Sequence, residues 1–294
     1  MLKIRTDLAV EAHALWQENA EKTTKLPGVR ARDEEANGYE VHRVEIMNED
    51  GARALGKPQG TYLTLDIASL RRGDCDAFER AVRAIAQLVC PLLPEAGAVL
   101  VAGIGNRRMT PDALGPLTLE HLLVTRHLGE ILPDFRPVAA IGAGVLGTTG
   151  MEVAEWVHGA AQRIRPAAVI LVDALAARSL DRLCSTIQIA DSGLVPGSGV
   201  GNHRKALTRE TLGVPVISVG VPTVVDAATL AVDMVGACGG EIDRATIAQE
   251  GRNLFVTPDS IDAKIADLAK LIGYGLNLAL QPRLGFDDLA ALVE

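Results

Sequence analysis

The chain has 294 residues, of which 48% are hydrophobic, 3% are aromatic and 22% are charged, and its formal net charge at pH 7 is -8. This length allows one large α/β domain, and the acidic balance argues against nucleic-acid binding, which requires a basic surface. No apolar run approaches the roughly 18 residues of a membrane span, and the N-terminus lacks the apolar stretch of a signal peptide, so we expect a cytoplasmic protein without membrane contact.

The cysteines and histidines show no metal-binding pattern. The four cysteines form no CxxC pair and match no zinc spacing. His121 and His127 are six positions apart, whereas two ligands on one helix face are usually four apart. We therefore predict no metal site and no cofactor.

Taken in chain order, the sequence predicts helices and strands of two kinds. Residues 1–40 are polar and irregular apart from a predicted helix in "VEAHALWQENAEKT". The alternating "YEVHRVEIMN" and "GTYLTLDIAS" predict half-exposed strands, and "CDAFERAVRAIAQLVCPLL" has helical spacing. Four short apolar runs follow, "GAVLVAGIG", "RPVAAIGAG", "AAVILVDAL" and "VPVISVGVP", and an amphipathic helix, "IDAKIADLAKLIGYGLNLALQ", comes near the end.

The four apolar runs indicate the fold class. Strands that are apolar on both faces are typical of parallel strands covered by helices on each side. We therefore predict an α/β fold, a three-layer sandwich with a mostly parallel central sheet. In such a sheet, ligands bind in the loops that leave the carboxyl ends of the strands, which are "GNRRMTPDALGP", "GAGVLGTTGME", "DALAARSL" and "GVPTVVDAATL".

The second of these loops allows a nucleotide-binding interpretation. "GAGVLG", residues 142–147, follows an apolar run and fits the G-x-G-x-x-G pattern of dinucleotide-binding folds. Asp173 ends the next apolar run, where an acid that binds ribose would lie. Its distance from Gly147 exceeds the spacing of about 20 residues typical of that fold, and a tight turn that requires glycine is the structural alternative.

Asp112 and Asp173 suggest a different chemistry. Asp112, in "TPDALGP", follows one apolar run, where it would also suit the first turn of a helix. Asp173 ends another run, "VILVDALAARS", and a buried carboxylate there requires a partner. If the two strands are neighbours, one carboxyl would retain a proton while the other acts as a base, which suits water activation and protonation of a leaving amine.

A glycine-rich loop follows in residues 193–201, with Gly193, Gly197, Gly199 and Gly201. Such a loop can bring backbone N–H groups close to a ligand or to an extended peptide. It lacks the G-K-[ST] ending of a phosphate-binding loop, and an ordinary surface loop is the alternative.

Several longer blocks resemble the germination proteases, the spore proteases of endospore-forming bacteria. They are "RTDLAVEA", "KPQGTYLTLD", "GIGNRRMTPDALGP", "GVLGTTGME", "VDALAARSLDRLCSTIQIADSG" and "PGSGVGNHRKALTRETLGVPVISVGVPTVVD". They occur in the family's order, from residue 5 to about residue 226. We infer no functional residues beyond residue 230.

The resemblance implies an atypical aspartic endopeptidase whose two essential aspartates correspond to Asp112 and Asp173. It implies that small acid-soluble spore proteins are the substrates, that the enzyme acts during germination in the forespore or spore core, and that it forms a homotetramer. It also implies a fold similar to that of hydrogenase-maturation proteases.

The resemblance further implies a zymogen that cuts itself between Asp7 and Leu8. Family substrates are cut within a pattern of Thr, an acid, an apolar residue, Ala, any residue and Glu, and residues 6–11, "TDLAVE", match it position by position. Residues 1–7 would then be a propeptide that mimics the substrate, and residues 8–294 a single catalytic α/β domain.

Loops at residues 142–150 and 193–201 are predicted to lie against an extended substrate. The predicted substrate-binding residues are Gly144, Gly147, Gly199 and Arg204. An acidic cleavage motif also suggests basic contacts, for which the further candidates are Arg107, Arg108, Arg178 and Lys205.

Two other functions are compatible with these residues. One is a metal-assisted protease of the hydrogenase-maturation type, in which acids of similar placement bind nickel. The other is a Rossmann-like nucleotide-binding protein built around residues 142–147.

Overall fold

The structure is a computed structural model that describes residues 6–19, 26–70, 73–198, 204–238 and 254–293. Its strands are β1 (Val29–Ala36), β2 (Tyr39–Ile46), β3 (Gly60–Asp66), β4 (Val99–Ile104), β5 (Val138–Gly144), β6 (Ala168–Ala177), β7 (Thr186–Ala190), β8 (Val216–Asp226) and β9 (Phe255–Val256). Its helices are α1 (Ala9–Asn19), α2 (Glu49–Leu55), α3 (Cys75–Val89), α4 (Leu114–Thr118), α5 (Leu146–Thr149), α6 (Val153–Ile164), α7 (Arg209–Leu212), α8 (Ala227–Ala237), α9 (Ile261–Leu280) and α10 (Phe286–Val293).

The strands form one mixed sheet in the order β1-β2-β3-β7-β8-β6-β4-β5, and β9 pairs with β8 outside this path. The neighbours β8, β6, β4 and β5 are parallel. The neighbours β1, β2, β3, β7 and β8 are antiparallel. The predicted α/β fold with a large central sheet is confirmed, and the four predicted apolar strands form its parallel half.

Residues of β4 alternate between two cores, which explains why the whole strand is apolar and buried. Val99 and Val101 pack in a core that includes residues of α3 and α9. Leu100 and Ala102 pack in a second core that includes residues of α6. Because successive side chains of a strand point to opposite faces, helices cover both faces of the sheet and the three predicted layers are present.

Three strands, β1, β7 and the two-residue β9, have no counterpart among the predicted elements. β1 consists mostly of exposed charged residues, so the prediction of an irregular N-terminal region is wrong there. The sequence feature that indicates β1 is the dipeptide Asn37-Gly38. These two residues form the turn of a β1–β2 hairpin, with φ angles of 48° and 83°. β7 has only five residues, all of them buried, and gives no periodic pattern.

Helix α4 approaches the sheet so closely that its second residue must be glycine. A Cβ atom at Gly115 would lie 2.3 Å from the carbonyl oxygen of Ile104 and 2.4 Å from that of Val172. Ile104 ends β4, and Val172 precedes Asp173 in β6. The contact therefore holds the start of α4, and the turn before it, against the carboxyl ends of two parallel strands.

We expect Gly115→Ala to lower the free energy of unfolding by about 1–3 kcal/mol, because the added methyl group must displace backbone atoms. Urea denaturation monitored by circular dichroism measures this difference. The control is Gly159→Ala in α6, where nothing lies within 4 Å of an added Cβ and a stability equal to or slightly above wild type is expected. A Gly115→Ala chain as stable as the wild type would contradict the close approach of α4.

Candidate active site

Asp112 ends a 3-10 turn, Thr110–Asp112, that joins β4 to α4. The backbone N–H of Asn106 donates to Asp112 Oδ2 at 2.8 Å, so the carboxylate closes the loop before it. The hydroxyl of Thr223 donates to the carbonyl oxygen of Pro111 at 2.7 Å, which fastens the turn to β8. No side-chain cap is present at the start of α4, so Asp112 supports its own loop and does not cap this helix.

Asp173 lies in β6, one residue beyond the last pairing of β6 with β4. Its side chain is buried, with 6% exposed, and Oδ1 accepts a hydrogen bond from the N–H of Ala174 at 2.9 Å. Across the sheet, Asp173 pairs with Gly220 of β8, and Gly220 pairs with Gln188 of β7. Paired residues project to the same face, and over Gly220 this face is covered by the side chain of Leu175, whose Cγ lies 2.7 Å from where a Gly220 Cβ would be.

Asp7, in the segment of residues 6–11, is held at this row by four hydrogen bonds. Its N–H donates to the carbonyl oxygen of Ala176 at 2.8 Å, and the N–H of Ala176 donates to Asp7 Oδ2 at 2.9 Å. The hydroxyl of Ser198 donates to Asp7 Oδ1 at 2.7 Å, and Gln188 Nε2 donates to the carbonyl oxygen of Asp7 at 3.1 Å. Both the carboxylate and the backbone of Asp7 are therefore bound.

The residues on either side of Asp7 are also bound. Lys57 Nζ donates to the carbonyl oxygen of Thr6 at 2.8 Å, and the N–H of Ala9 donates to Gln188 Oε1 at 2.8 Å. Leu8 is completely buried in an apolar cluster with Leu175, Ala177, Leu183 and Val225. The bond between Asp7 and Leu8 thus lies between a polar and an apolar binding site.

Glu11 ends the bound segment in a site made of backbone N–H groups. The N–H of Arg178 donates to Glu11 Oε2 at 2.7 Å, and the N–H of Ser179 donates to Oε1 at 2.9 Å. The hydroxyl of Thr6 also donates to Glu11 Oε2. A carboxylate that accepts several N–H and O–H donors is strongly bound, so this site favours an acid at the fourth position after the Asp7–Leu8 bond.

The segment borders a cleft of about 700 Å³, whose lining residues include Asp7, Lys57, Asp173, Gln188 and Ser198. Burial raises the pKa of Asp173 well above its ordinary value, and the neighbouring charges of Asp112 and Asp7 raise it further, although the N–H of Ala174 opposes the shift. Burial also raises the pKa of Asp112, opposed by the N–H of Asn106. Of the two carboxyl groups, Asp173 has the more strongly raised pKa, so its protonated form is favoured to a higher pH.

Two of the predicted substrate-binding glycines, Gly144 and Gly147, lie at the end of β5 and in α5. Gly144 ends β5 with a φ of 62°, and its carbonyl oxygen accepts from the N–H of Gly105 at 3.5 Å. Gly147 lies in α5, where nothing is within 4 Å of an added Cβ. Neither glycine is among the residues that line the cleft, and Gly199 lies outside the described residues.

Most of the predicted basic residues pair with acids at the surface. Arg204 pairs with Glu152 and Lys205 with Glu155, each at 3.5 Å, and Arg107 pairs with Glu120. The guanidinium group of Arg178 binds Asp233 and Glu18, while its backbone N–H binds the segment. For Arg108, the described contact is its N–H donating to the side chain of Asn106.

The sequence analysis missed Lys57, Gln188 and Ser198 as site residues. All three lie in blocks on which the family resemblance depends, and Ser198 also lies in the predicted glycine-rich loop. No local pattern indicates that these three side chains contact residues 6–11. Their role depends on pairing between strands that are distant in sequence.

Among the described residues, one group of three side chains has the ligand types and spacing of a metal site. It consists of Asp33, Glu40 and His42 on the β1–β2 hairpin, at the opposite end of the sheet from Asp112. Within the same described part of the chain, none of the helices has the length and apolar character needed to cross a membrane.

In the parallel half of the sheet, two neighbouring acids of raised pKa, with a peptide segment bound at the cleft that Asp173 lines, form an arrangement typical of a hydrolase. Comparison with known proteins agrees with this class. The family model described as germination protease matches residues 9–250. The chain therefore belongs to the germination protease family.

Curated relatives match along the full length of the chain. A germination protease from Caldanaerobacter subterraneus subsp. tengcongensis is 42% identical, with 100% of this chain and 99% of the relative covered. One from Bacillus cereus is 38% identical, with 98% and 96% covered. These relatives and the family model agree that the chain is a peptidase.

Among solved structures, a NiFe hydrogenase maturation protease, HycI, from Thermococcus kodakarensis KOD1 matches 64% of this chain and 98% of its own. The TM-score is 0.37 and the sequence identity is 19%. A similarity of this size carries no argument about function.

We expect Asp173→Asn to remove a pH dependence from the stability of the fold. Because the pKa of Asp173 is raised in the folded chain, its protonation stabilises the wild type fully below the unfolded pKa of about 3.9, and this stabilisation is lost as the pH rises through the folded pKa. The asparagine cannot ionise. The free energy of unfolding of Asp173→Asn, relative to wild type, should therefore rise by about 1.4 kcal/mol per pH unit between those two pKa values.

Urea denaturation from about pH 4 to about pH 8 measures this difference. Asp259→Asn, a change at an exposed residue, is the matched control and should show no such trend. A constant difference between Asp173→Asn and wild type across this range would contradict the raised pKa.

Proposed function

We propose that the chain is an aspartic-type endopeptidase that cuts its own Asp7–Leu8 bond and then initiates the degradation of small acid-soluble spore proteins during germination. The observation that supports this most is the segment of residues 6–11, whose first three residues precede α1 and whose last three form its first turn, bound at the cleft that Asp173 also lines. Its Asp7–Leu8 bond contacts Gln188, which shares a row with Gly220 and Asp173, while the backbone of Asp7 pairs with Ala176, three residues beyond Asp173 on β6.

In the proposed reaction, Asp112 is the base and Asp173 is the acid. A water molecule gives a proton to the Asp112 carboxylate, and its oxygen bonds to the carbonyl carbon of Asp7. The proton of Asp173 passes to the nitrogen of Leu8 as the C–N bond breaks, which leaves a carboxyl group on Asp7 and a free amine on Leu8. Transfer of a proton from Asp112 to Asp173 restores the starting state. The deeper burial of Asp173 is the reason for this assignment.

The contacts of residues 6–11 provide the proposed specificity. An acid before the cut is held by Ser198 and the N–H of Ala176, the apolar residue after the cut fills the cluster around Leu175, and the Glu of the motif binds the N–H groups of Arg178 and Ser179. A small acid-soluble spore protein with the same pattern would make these contacts in the conformation of residues 6–11, which enters a helix after its third residue. Gly144, Gly147, Gly199 and Arg204 remain predictions for substrate residues further from the cut.

We propose that the uncut chain is a zymogen because residues 6–11 occupy the position that a substrate must take. Cleavage would release residues 1–7 as the propeptide and leave Leu8 as the first residue of the mature catalytic domain, residues 8–294. From family membership we further propose a homotetramer that acts in the cytoplasm of the forespore or the spore core.

Asp112→Asn and Asp173→Asn are each expected to abolish self-cleavage, because the first loses the base and the second loses the acid. The purified full-length chain is incubated, and N-terminal sequencing follows the appearance of a terminus at Leu8. Circular dichroism checks that each variant is folded, and Asp259→Asn, at an exposed residue, is the control that should cut at the wild-type rate. Cleavage at the wild-type rate in either active-site variant would contradict the two-aspartate mechanism.

A further inference from the structure

We propose that Gln188 is a catalytic residue of this peptidase, one whose side-chain amide fixes the scissile bond in register and stabilises the negative charge that develops on its carbonyl oxygen. This inference rests on the proposed function, because it takes the Asp7–Leu8 bond as the bond that is cut. It adds a third group to the two aspartates.

The amide of Gln188 contacts the bound segment on both sides of this bond. Its Nε2 atom donates to the carbonyl oxygen of Asp7 at 3.1 Å, and its Oε1 atom accepts from the N–H of Ala9 at 2.8 Å. A carbonyl oxygen only accepts and a backbone N–H only donates, so these two partners determine which end of the amide is nitrogen. The amide therefore spans Leu8, the residue directly after the cut.

The burial of Gln188 and its hydrogen bonds indicate that its side chain binds residues 6–11 rather than stabilising the sheet. It is 7% exposed in β7, where the other four residues are Thr186, Ile187, Ile189 and Ala190, all of them also buried. A polar side chain at such a position requires hydrogen-bond partners. In the described part of the chain, both hydrogen bonds of the Gln188 side chain go to residues 6–11.

The position of Gln188 relative to Asp173 suits stabilisation of an oxyanion. The two residues share a row across β7, β8 and β6, with the side chain of Leu175 over Gly220 between them. Addition of water to the carbonyl carbon of Asp7 places a negative charge on the oxygen that Gln188 Nε2 contacts. A preorganised donor at that atom stabilises the transition state more than the ground state, and as a neutral group it adds no charge beside the two acids.

Two substitutions at Gln188 distinguish the effect of its hydrogen-bond donor, Nε2, from that of its acceptor, Oε1. Gln188→Glu keeps the shape and the acceptor for the Ala9 N–H but, when ionised, offers no donor to Asp7. Gln188→Leu removes both. We expect the first-order rate of self-cleavage by the full-length chain to fall about 10²- to 10³-fold in Gln188→Glu and at least as much in Gln188→Leu, since loss of one oxyanion donor has this effect in other hydrolases.

The pH profile distinguishes a catalytic role from a structural one. As the pH falls, the carboxyl group introduced in Gln188→Glu gains a proton and becomes a donor again, so its rate relative to wild type should rise at low pH. The relative rate of Gln188→Leu should stay constant. Thr64→Val is the matched control, because Thr64 pairs with Gln188 in the sheet and its buried hydroxyl has no hydrogen-bond partner among the described residues.

Each outcome of the experiment decides between the proposals. If the wild type cuts at Asp7–Leu8 and Asp112→Asn does not, the proposed function stands, and wild-type rates in both Gln188 variants would overturn the inference about Gln188 alone. The inference about Gln188 would also be overturned if the self-cleavage rates of Gln188→Glu and Gln188→Leu, each relative to wild type, changed with pH in the same way. If the wild type yields no terminus at Leu8, both proposals fail. Circular dichroism checks folding, and if Gln188→Leu does not fold, Gln188→Glu provides the test alone.

Discussion

Burial of the Asp173 carboxyl group at the carboxyl edge of the sheet is the constraint on which the rest of the site depends. The charged form of a carboxyl group is costly in such a position, and the nearby Asp112 increases that cost, so the pKa of Asp173 is raised well above its ordinary value. The fold maintains this arrangement through close contacts. Gly115 lets α4 reach the backbone of β4 and β6, and the Thr223 hydroxyl fastens the turn of Asp112 to β8. Because one acid is neutral and the other can ionise, the pair has both a proton donor and a base.

The N-terminal segment shows how this site holds a peptide. Polar contacts bind Asp7, an apolar cluster buries Leu8, and backbone N–H groups bind Glu11. These contacts differ in chemistry from one residue to the next, so a peptide shifted by one position would place an apolar side chain against polar groups and leave a carboxylate in an apolar cluster. Register along the cleft is therefore determined by the alternation of polar and apolar sites.

Much of the fold and part of the site could be predicted from the sequence. The runs that became β4, β5, β6 and β8 are apolar because both their faces are covered, and this leaves a local pattern. The proximity of Asp112 and Asp173 was predictable because both follow such runs and because the surrounding blocks resemble a known family. Gln188 was not, since its role arises from insertion of β7 between β3 and β8 and from its alignment with Gly220. Such pairing joins distant parts of the chain and leaves no periodic signal near Gln188.

The central claim is that Asp173 is uncharged at neutral pH beside Asp112. Infrared difference spectroscopy tests it most directly, because a protonated carboxyl group and a carboxylate absorb at different frequencies. The spectra of the folded wild-type chain and of Asp173→Asn would be compared at about pH 7, where an ordinary aspartate is ionised. The account predicts that the substitution removes the absorption of a protonated carboxyl group. Loss of a carboxylate absorption in its place would show that Asp173 is charged and would contradict the account.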